Sequence, residues 1–236
     1  MIPIRDTIPS RSYPIMTVSL IVSNVVVFFY QLSLGSEVDL FLTDFGLVPL
    51  RFFRLLDRGA NPIKMFMPFL TSMFLHGGWF HIIGNMWYLW IFGDNVEDRM
   101  GHFRFLIFYI VCGIAAGFAH AFTNPNSGIP TVGASGAIAG VMGAYFILYP
   151  SARIWTLVPV FIFAQFVEIP AVIFLGFWII MQFLIGTFAM NMGPTQGGVA
   201  WWAHIGGFAA GVVLVFIFKK RKRNLPRQYA DQQLPW

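Results

Sequence analysis

The 236-residue chain is 57% hydrophobic and only 11% charged, with a mean hydropathy of +0.70, which excludes an ordinary soluble domain and identifies an integral membrane protein. Much of its net charge of +5 sits in Lys219-Lys220-Arg221-Lys222-Arg223, directly after an apolar stretch, so the cluster reads as a cytoplasmic stop and lipid-headgroup contact and not as a nucleic-acid site. The single Cys112 excludes an internal disulfide and, mid-span in an apolar segment, reads as a packing residue.

Residues 1–14 form a short polar N-terminal segment, expected in the cytoplasm, and the apolar stretch that follows is too long for a signal h-region, so it is expected to be a retained span. A spanning helix needs about 20 apolar residues and tolerates unpaired charge poorly, so charge-free runs divide the chain. They predict six transmembrane helices at 15–33, 78–95, 104–122, 133–150, 170–189 and 202–218. The turn-forming TNPNSG at 123–128 parts the third from the fourth, and NMGPTQGG at 191–198 parts the fifth from the sixth. The loop at 34–64 is expected to be folded, with LRFFRLL at 50–56 as a helix lying in the interface. The run at 154–167 is too short for a span and contains Pro159, so it is expected to be an interfacial or re-entrant piece leading into helix five. Residues 219–236 read as a basic cytoplasmic tail. With both termini inside, eleven of the 15 basic residues fall in cytoplasmic segments, as the positive-inside rule requires; the other four, Arg51, Arg54, Arg58 and Lys64, share the first loop. The expected architecture is an all-α membrane protein, a six-helix bundle over 15–218 with a long folded first loop.

Few side chains in the outer halves of these spans can do chemistry: His81 and Asn85 on helix two, His120 at the end of helix three, Ser135 on helix four and His204 on helix six. Helices two, four and six run in the same direction, and their polar residues all fall in the first third of the helix, roughly 5 to 10 Å below the outer surface at 1.5 Å per residue. His81 and Asn85 are four apart and share a helix face, where they can address one ligand atom; each also fits a plain interhelical hydrogen bond. Ser135 in VGASGAIAG stands in the first turn of helix four, where free N–H groups and the helix dipole favour an oxyanion. The same stretch carries the stripe Gly136, Gly140 and Ala144, which fits simple helix packing, and AHIGGFAAG at 203–211 carries a matching stripe, Gly207 and Gly211. If the two stripes pack, Ser135 and His204 meet at one depth as nucleophile and base. The outer halves hold no Asp or Glu, so a dyad is expected in place of a triad.

Read together, H-x-x-x-N at His81–Asn85, G-x-S-G at 133–136 and A-H-x-G-G at 203–207 resemble the motifs of the rhomboid intramembrane serine proteases, over about residues 66 to 215. EDRMG at 97–101 is similar to that family's turn after helix two, whereas the family's first-loop Trp-Arg pair is replaced here by Met67-Pro68. The resemblance implies a rhomboid-type bundle, Ser135 as nucleophile, His204 as base and then acid, and Asn85, His81 and the Ser135 N–H as oxyanion donors. It implies an endopeptidase that cuts transmembrane proteins within or near the outer part of their helices. Met192, Trp201 and Trp202 flank the loop before helix six and are candidates for substrate access, or for an interfacial aromatic belt.

No metal or cofactor is expected: His76 and His81 are five apart, and His-Glu-x-x-His is absent. The partners expected are transmembrane substrates and the lipid bilayer, with no nucleic acid. The alternative is a catalytically silent rhomboid-like fold that binds transmembrane clients. A transporter would call for inverted repeats or a buried charge relay, and neither is visible. The compact layout suggests a bacterial plasma membrane.

Overall fold

The computed structural model describes residues 1–160, 163–191 and 199–220. Helix α1 spans Ile15–Ser33. Its N-terminus is capped from elsewhere in the chain: Pro14 offers no side-chain cap, and the Met16 and Thr17 N–H groups donate to the Glu97 carboxylate at 2.9 and 2.8 Å. The Thr17 hydroxyl and His102 Nδ1 lie on the same carboxylate at 2.7 and 2.5 Å. Thus Glu97 caps the first helix and its buried carboxylate meets four partners; the EDRMG segment expected as a turn is helical through Met100, and only Gly101, with φ +83, makes the turn.

The first loop is folded, as expected. It forms α2 (Val38–Phe45), α3 (Pro49–Asp57) and α4 (Pro62–Thr71), with Pro49 and Pro62 supplying the fixed φ that suits a first helical position. Leu47, Phe52, Met65 and Phe69 make a second small core, extended by Phe118, whose ring stacks on Phe69 at 4.3 Å.

Four helices then follow the predicted spans closely: α5 (Trp79–Met100), α6 (His102–Thr123), α8 (Ala171–Asn191) and α9 (Trp201–Phe218). α7 (Ser135–Leu148) is shorter, 14 residues or about 21 Å, and residues 136 to 145 are all buried. It is the central helix, packed on by α5, α6, α8 and α9. Among the described residues four helices, α1, α6, α8 and α9, are long and apolar enough to cross a membrane. The chain is a helical, multi-pass integral membrane protein.

The all-α expectation needs one correction. The run expected as an interfacial or re-entrant piece is an antiparallel hairpin, β2 (Arg153–Val160) and β3 (Phe163–Pro170), and residues of the N-terminal segment add β1 (Ile2–Asp6) to give the order β1-β2-β3. β1 pairs with β2 from Ile2 opposite Leu157 to Asp6 opposite Ile154. β1 is fastened to α5: Trp87 Nε1 donates to the Pro3 carbonyl at 2.6 Å, and Asn95 Nδ2 to the Asp6 carboxylate at 2.9 Å. The Tyr145 hydroxyl of α7 reaches the same Asp6 oxygen at 2.5 Å. The physical reason is composition: Ile, Trp, Thr, Leu and Val dominate β2, favouring strand over helix, and a strand needs a partner, which β1 supplies from 150 residues away in sequence.

Candidate active site

The tightest helix contact in the molecule is α7 against α9, and glycine makes it so. A Cβ on Gly207 would stand 2.9 Å from the Gly136 carbonyl carbon, and one on Gly211 would stand 2.6 Å from that of Gly140. A Cβ on Gly140 would meet the Gly207 carbonyl oxygen at 3.2 Å and press on Cys112 of α6, which explains why that cysteine is buried. The two small-residue stripes therefore do pack on each other, with backbone against backbone. Ser135 is the first residue of α7 and precedes Gly136; His204 follows Ala203, whose Cβ faces Gly136.

On the other side of Ser135 stands α5. Gly133 has φ +122, a conformation that L side chains rarely adopt, and a Cβ there would lie 2.6 Å from His81 Nε2 and 3.4 Å from Asn85 Nδ2. Only glycine satisfies both constraints. The Gly77 N–H donates to His81 Nδ1 at 3.3 Å, which leaves the proton on Nε2, the atom facing Gly133. Asn85 is 7% exposed, and its Nδ2 has no hydrogen-bond partner. Two donors thus converge two residues before Ser135, at the end of α7 whose first-turn N–H groups have no intrahelical acceptor.

The approach to Ser135 is braced by the first loop. The Gly133 N–H donates to the Ser72 carbonyl at 2.8 Å, and Leu47 and Thr131 exchange two backbone hydrogen bonds at 3.1 and 2.8 Å. The Pro68 of the replaced Trp-Arg position is buried within α4.

A family model described as Rhomboid domain matches residues 64–221, more than half of the chain. The chain belongs to the rhomboid family. Its similar proteins include Rhomboid-like protein 11, chloroplastic, of Arabidopsis thaliana, 30% identical over 64% of this chain and 52% of that protein. RHOMBOID-like protein 1 of the same plant is 32% identical over 68% of this chain and 38% of its own length. The mouse presenilin-associated rhomboid-like protein, mitochondrial, is 29% identical over 65% and 39%. The chain therefore aligns with about half or less of the length of these relatives. Two of the three carry organelle names, so they give the expected bacterial plasma membrane no support.

Other residues of this rhomboid fall as follows. Trp201 and Trp202 open α9 and pack on α8, where a Cβ on Gly186 would lie 2.9 Å from the Trp201 Cβ. Trp201 also meets His204 edge-on, with ring centroids 6.4 Å apart. Met192 lies outside the described residues. His120 lies in the last turn of α6 beside Asn124, and His76 is buried against Phe28 and His81. One contact of the site is missed by motif reasoning: Gln182 of α8 sits 2.7 Å from His204 Nδ1. The available signal was an isolated Gln in a helix that is otherwise apolar apart from Thr187 and the terminal Asn191.

Proposed function

We propose that this rhomboid is an intramembrane serine endopeptidase whose nucleophile is Ser135 and whose general base is His204. The observation that carries the reading is the pair of donors, His81 Nε2 and the unpartnered Asn85 Nδ2, aimed at Gly133 beside Ser135. A buried donor without an acceptor costs about 1–3 kcal/mol, a penalty that makes sense where the acceptor is an oxyanion that exists only during reaction. In this mechanism Ser135 Oγ attacks a peptide carbonyl while His204 takes its proton. The tetrahedral oxyanion is held by His81, Asn85 and the Ser135 N–H. His204 then returns the proton to the leaving amine, and water, activated by the same imidazole, releases the acyl group.

The substrates fitting this site are transmembrane proteins. Their helices bond internally, so a segment must unwind before a carbonyl can reach Ser135, which favours Gly- or Pro-containing stretches near the outer surface. Trp201 and Trp202, at the start of α9 against α8, are on the side by which such a segment would enter, and Met192 is assigned to the same entrance from its place in the sequence alone. With both termini cytoplasmic, Ser135 lies toward the outer face of the membrane.

The test is purified protein in detergent with a transmembrane peptide bearing a helix-weakening segment, cleavage being read by mass spectrometry. The expected result is one cut bond, abolished by Ser135→Ala and by His204→Ala, with a fluorophosphonate labelling Ser135. Absence of both cleavage and labelling would leave a rhomboid-like protein that binds clients without cutting them.

A further inference from the structure

The mechanism above leaves one face of the general base unexplained. His204 Nδ1 lies 2.7 Å from Gln182 Oε1, and both side chains are buried, at 9% and 8% exposure. We propose that Gln182 is a positioning residue for the dyad: it holds His204 in the tautomer whose unprotonated Nε2 serves Ser135. The inference rests on the serine-protease reading of the site.

An amide oxygen can only accept, so the proton of this contact belongs to His204 Nδ1, and Nε2 is left with its lone pair. A base for a serine hydroxyl needs that arrangement. In a free imidazole the opposite tautomer, with the proton on Nε2, is the more populated one, and it would offer Ser135 a donor in place of an acceptor. Both side chains are buried, and among the described residues Gln182 is the hydrogen-bond partner found at Nδ1, so the choice of tautomer falls to it.

Ring orientation is fixed by the same helix. Trp178, one turn before Gln182 on α8, lies over the His204 ring with centroids 5.7 Å apart and planes 34° apart. Trp201 closes the other direction edge-on. Helix α8 therefore presents an aromatic face and an acceptor to one imidazole. A neutral amide suits the place better than a carboxylate, because before reaction the imidazole is neutral and a carboxylate would be an uncompensated charge in an apolar setting. This accounts for a dyad working without a third acid.

The test uses the full chain in detergent, comparing wild type, Gln182→Leu, Gln182→Glu and Ser135→Ala. Leucine is expected to lower kcat for peptide cleavage by about 10- to 100-fold, by analogy with the loss of the group that orients a metal-bound histidine. KM should stay near its wild-type value, and fluorophosphonate labelling of Ser135 should slow in parallel. Glutamate keeps an acceptor, so it should recover most of the rate and move the acidic limb of the pH–rate profile to higher pH, since a carboxylate favours the imidazolium. A purely structural tie between α8 and α9 would lower Tm in the leucine variant and leave kcat and the pH profile alone; that outcome overturns the proposal. Should Gln182→Leu not fold, nitrogen NMR of His204 in the wild-type protein reads the tautomer directly, and a proton on Nε2 overturns it equally. If wild-type protein neither cleaves nor labels, the protease reading itself has failed and Gln182 falls with it.

Discussion

One methyl group added at Gly207 tests whether helix packing sets the chemistry, because it leaves every polar side chain of the site in place. A Cβ there would stand 2.9 Å from the Gly136 carbonyl carbon, and closer still to its oxygen. Carbon atoms sit comfortably at about 3.5–4.0 Å, so α7 and α9 must part by about 1 Å, and no rotamer can relieve a clash with backbone. Gly136 adjoins Ser135, and Gly207 lies one turn from His204, so the displacement falls between the proposed nucleophile and the proposed base. A misplacement of about 1 Å costs about 100-fold in rate, and overpacking about 1–3 kcal/mol in stability. Gly207→Ala is therefore expected to lose about 100-fold in kcat/KM, measured by peptide cleavage in detergent, with helix content by circular dichroism unchanged and Tm lowered. Gly84→Ala is the control, since its Cβ would meet nothing within 4 Å; its rate should match wild type. Gly211→Ala should lower Tm as much as Gly207→Ala does and the rate less, being one turn farther from His204. A Gly207→Ala protein cleaving at the wild-type rate would refute the link between the glycine stripe and the dyad.

Three further outcomes are expected. Asn85→Leu, which keeps the volume, should lower kcat by about 100- to 1,000-fold as an oxyanion donor is lost, yet leave Tm no lower, because Nδ2 has no partner to lose; a lowered Tm with full activity would contradict it. Glu97→Gln should lower Tm by several degrees in a thermal melt, since an amide cannot accept from the Met16 N–H, the Thr17 N–H and the Thr17 hydroxyl together, and each hydrogen bond to a charged group contributes about 1.5–3 kcal/mol; an unchanged Tm would show that α1 needs no such cap. Burial raises the Asp6 pKa despite the hydrogen bond from Tyr145, so the ionised form is disfavoured in the folded state, and wild type loses stability as pH rises from the unfolded value of about 4 through the folded one. Asp6→Asn escapes that loss, and its Tm advantage over wild type should be larger at pH 7 than at pH 4; the reverse trend would mean that Asp6 is stabilised as an anion.

What the sequence made legible follows from the range of the interactions concerned. Charge-free runs located the helices because hydrocarbon penalises charge locally, residue by residue. Ser135, His204, His81 and Asn85 became the candidates because three short motifs shared one depth, and their roles remain the proposal made above. The sheet was hidden for two reasons. Residues 154–167 form a short apolar run whose periodicity does not separate strand from buried helix, and its partner, Ile2–Asp6, lies in a segment that looks like a polar lead-in. Gln182 was hidden differently. It belongs to no motif, and its meaning depends on which face of α8 turns toward α9, a rotation that the nearly uniform apolarity of that helix leaves unspecified.

Glycine decides this site more than any polar residue does. The proposed dyad needs two helices closer than side chains ordinarily permit, and Gly136, Gly140, Gly207 and Gly211 supply backbone contact where a methyl group would be expelled. Gly133 needs its positive φ and also the bare space into which His81 and Asn85 point. The Ser72 carbonyl, just past α4, holds the Gly133 N–H from outside, and Leu47 of the first loop pairs with Thr131, so the loop is tied by backbone to the turn before Ser135. In a membrane, where apolar burial between helices gains little over lipid, such close packing is itself a main source of association. The stripe as a packing device and the proposal of Ser135 as a nucleophile are therefore not rivals: the close approach of α7 to α9 is what the proposed dyad depends on, so a substitution that parts the helices beside Ser135 is expected to slow the reaction as well.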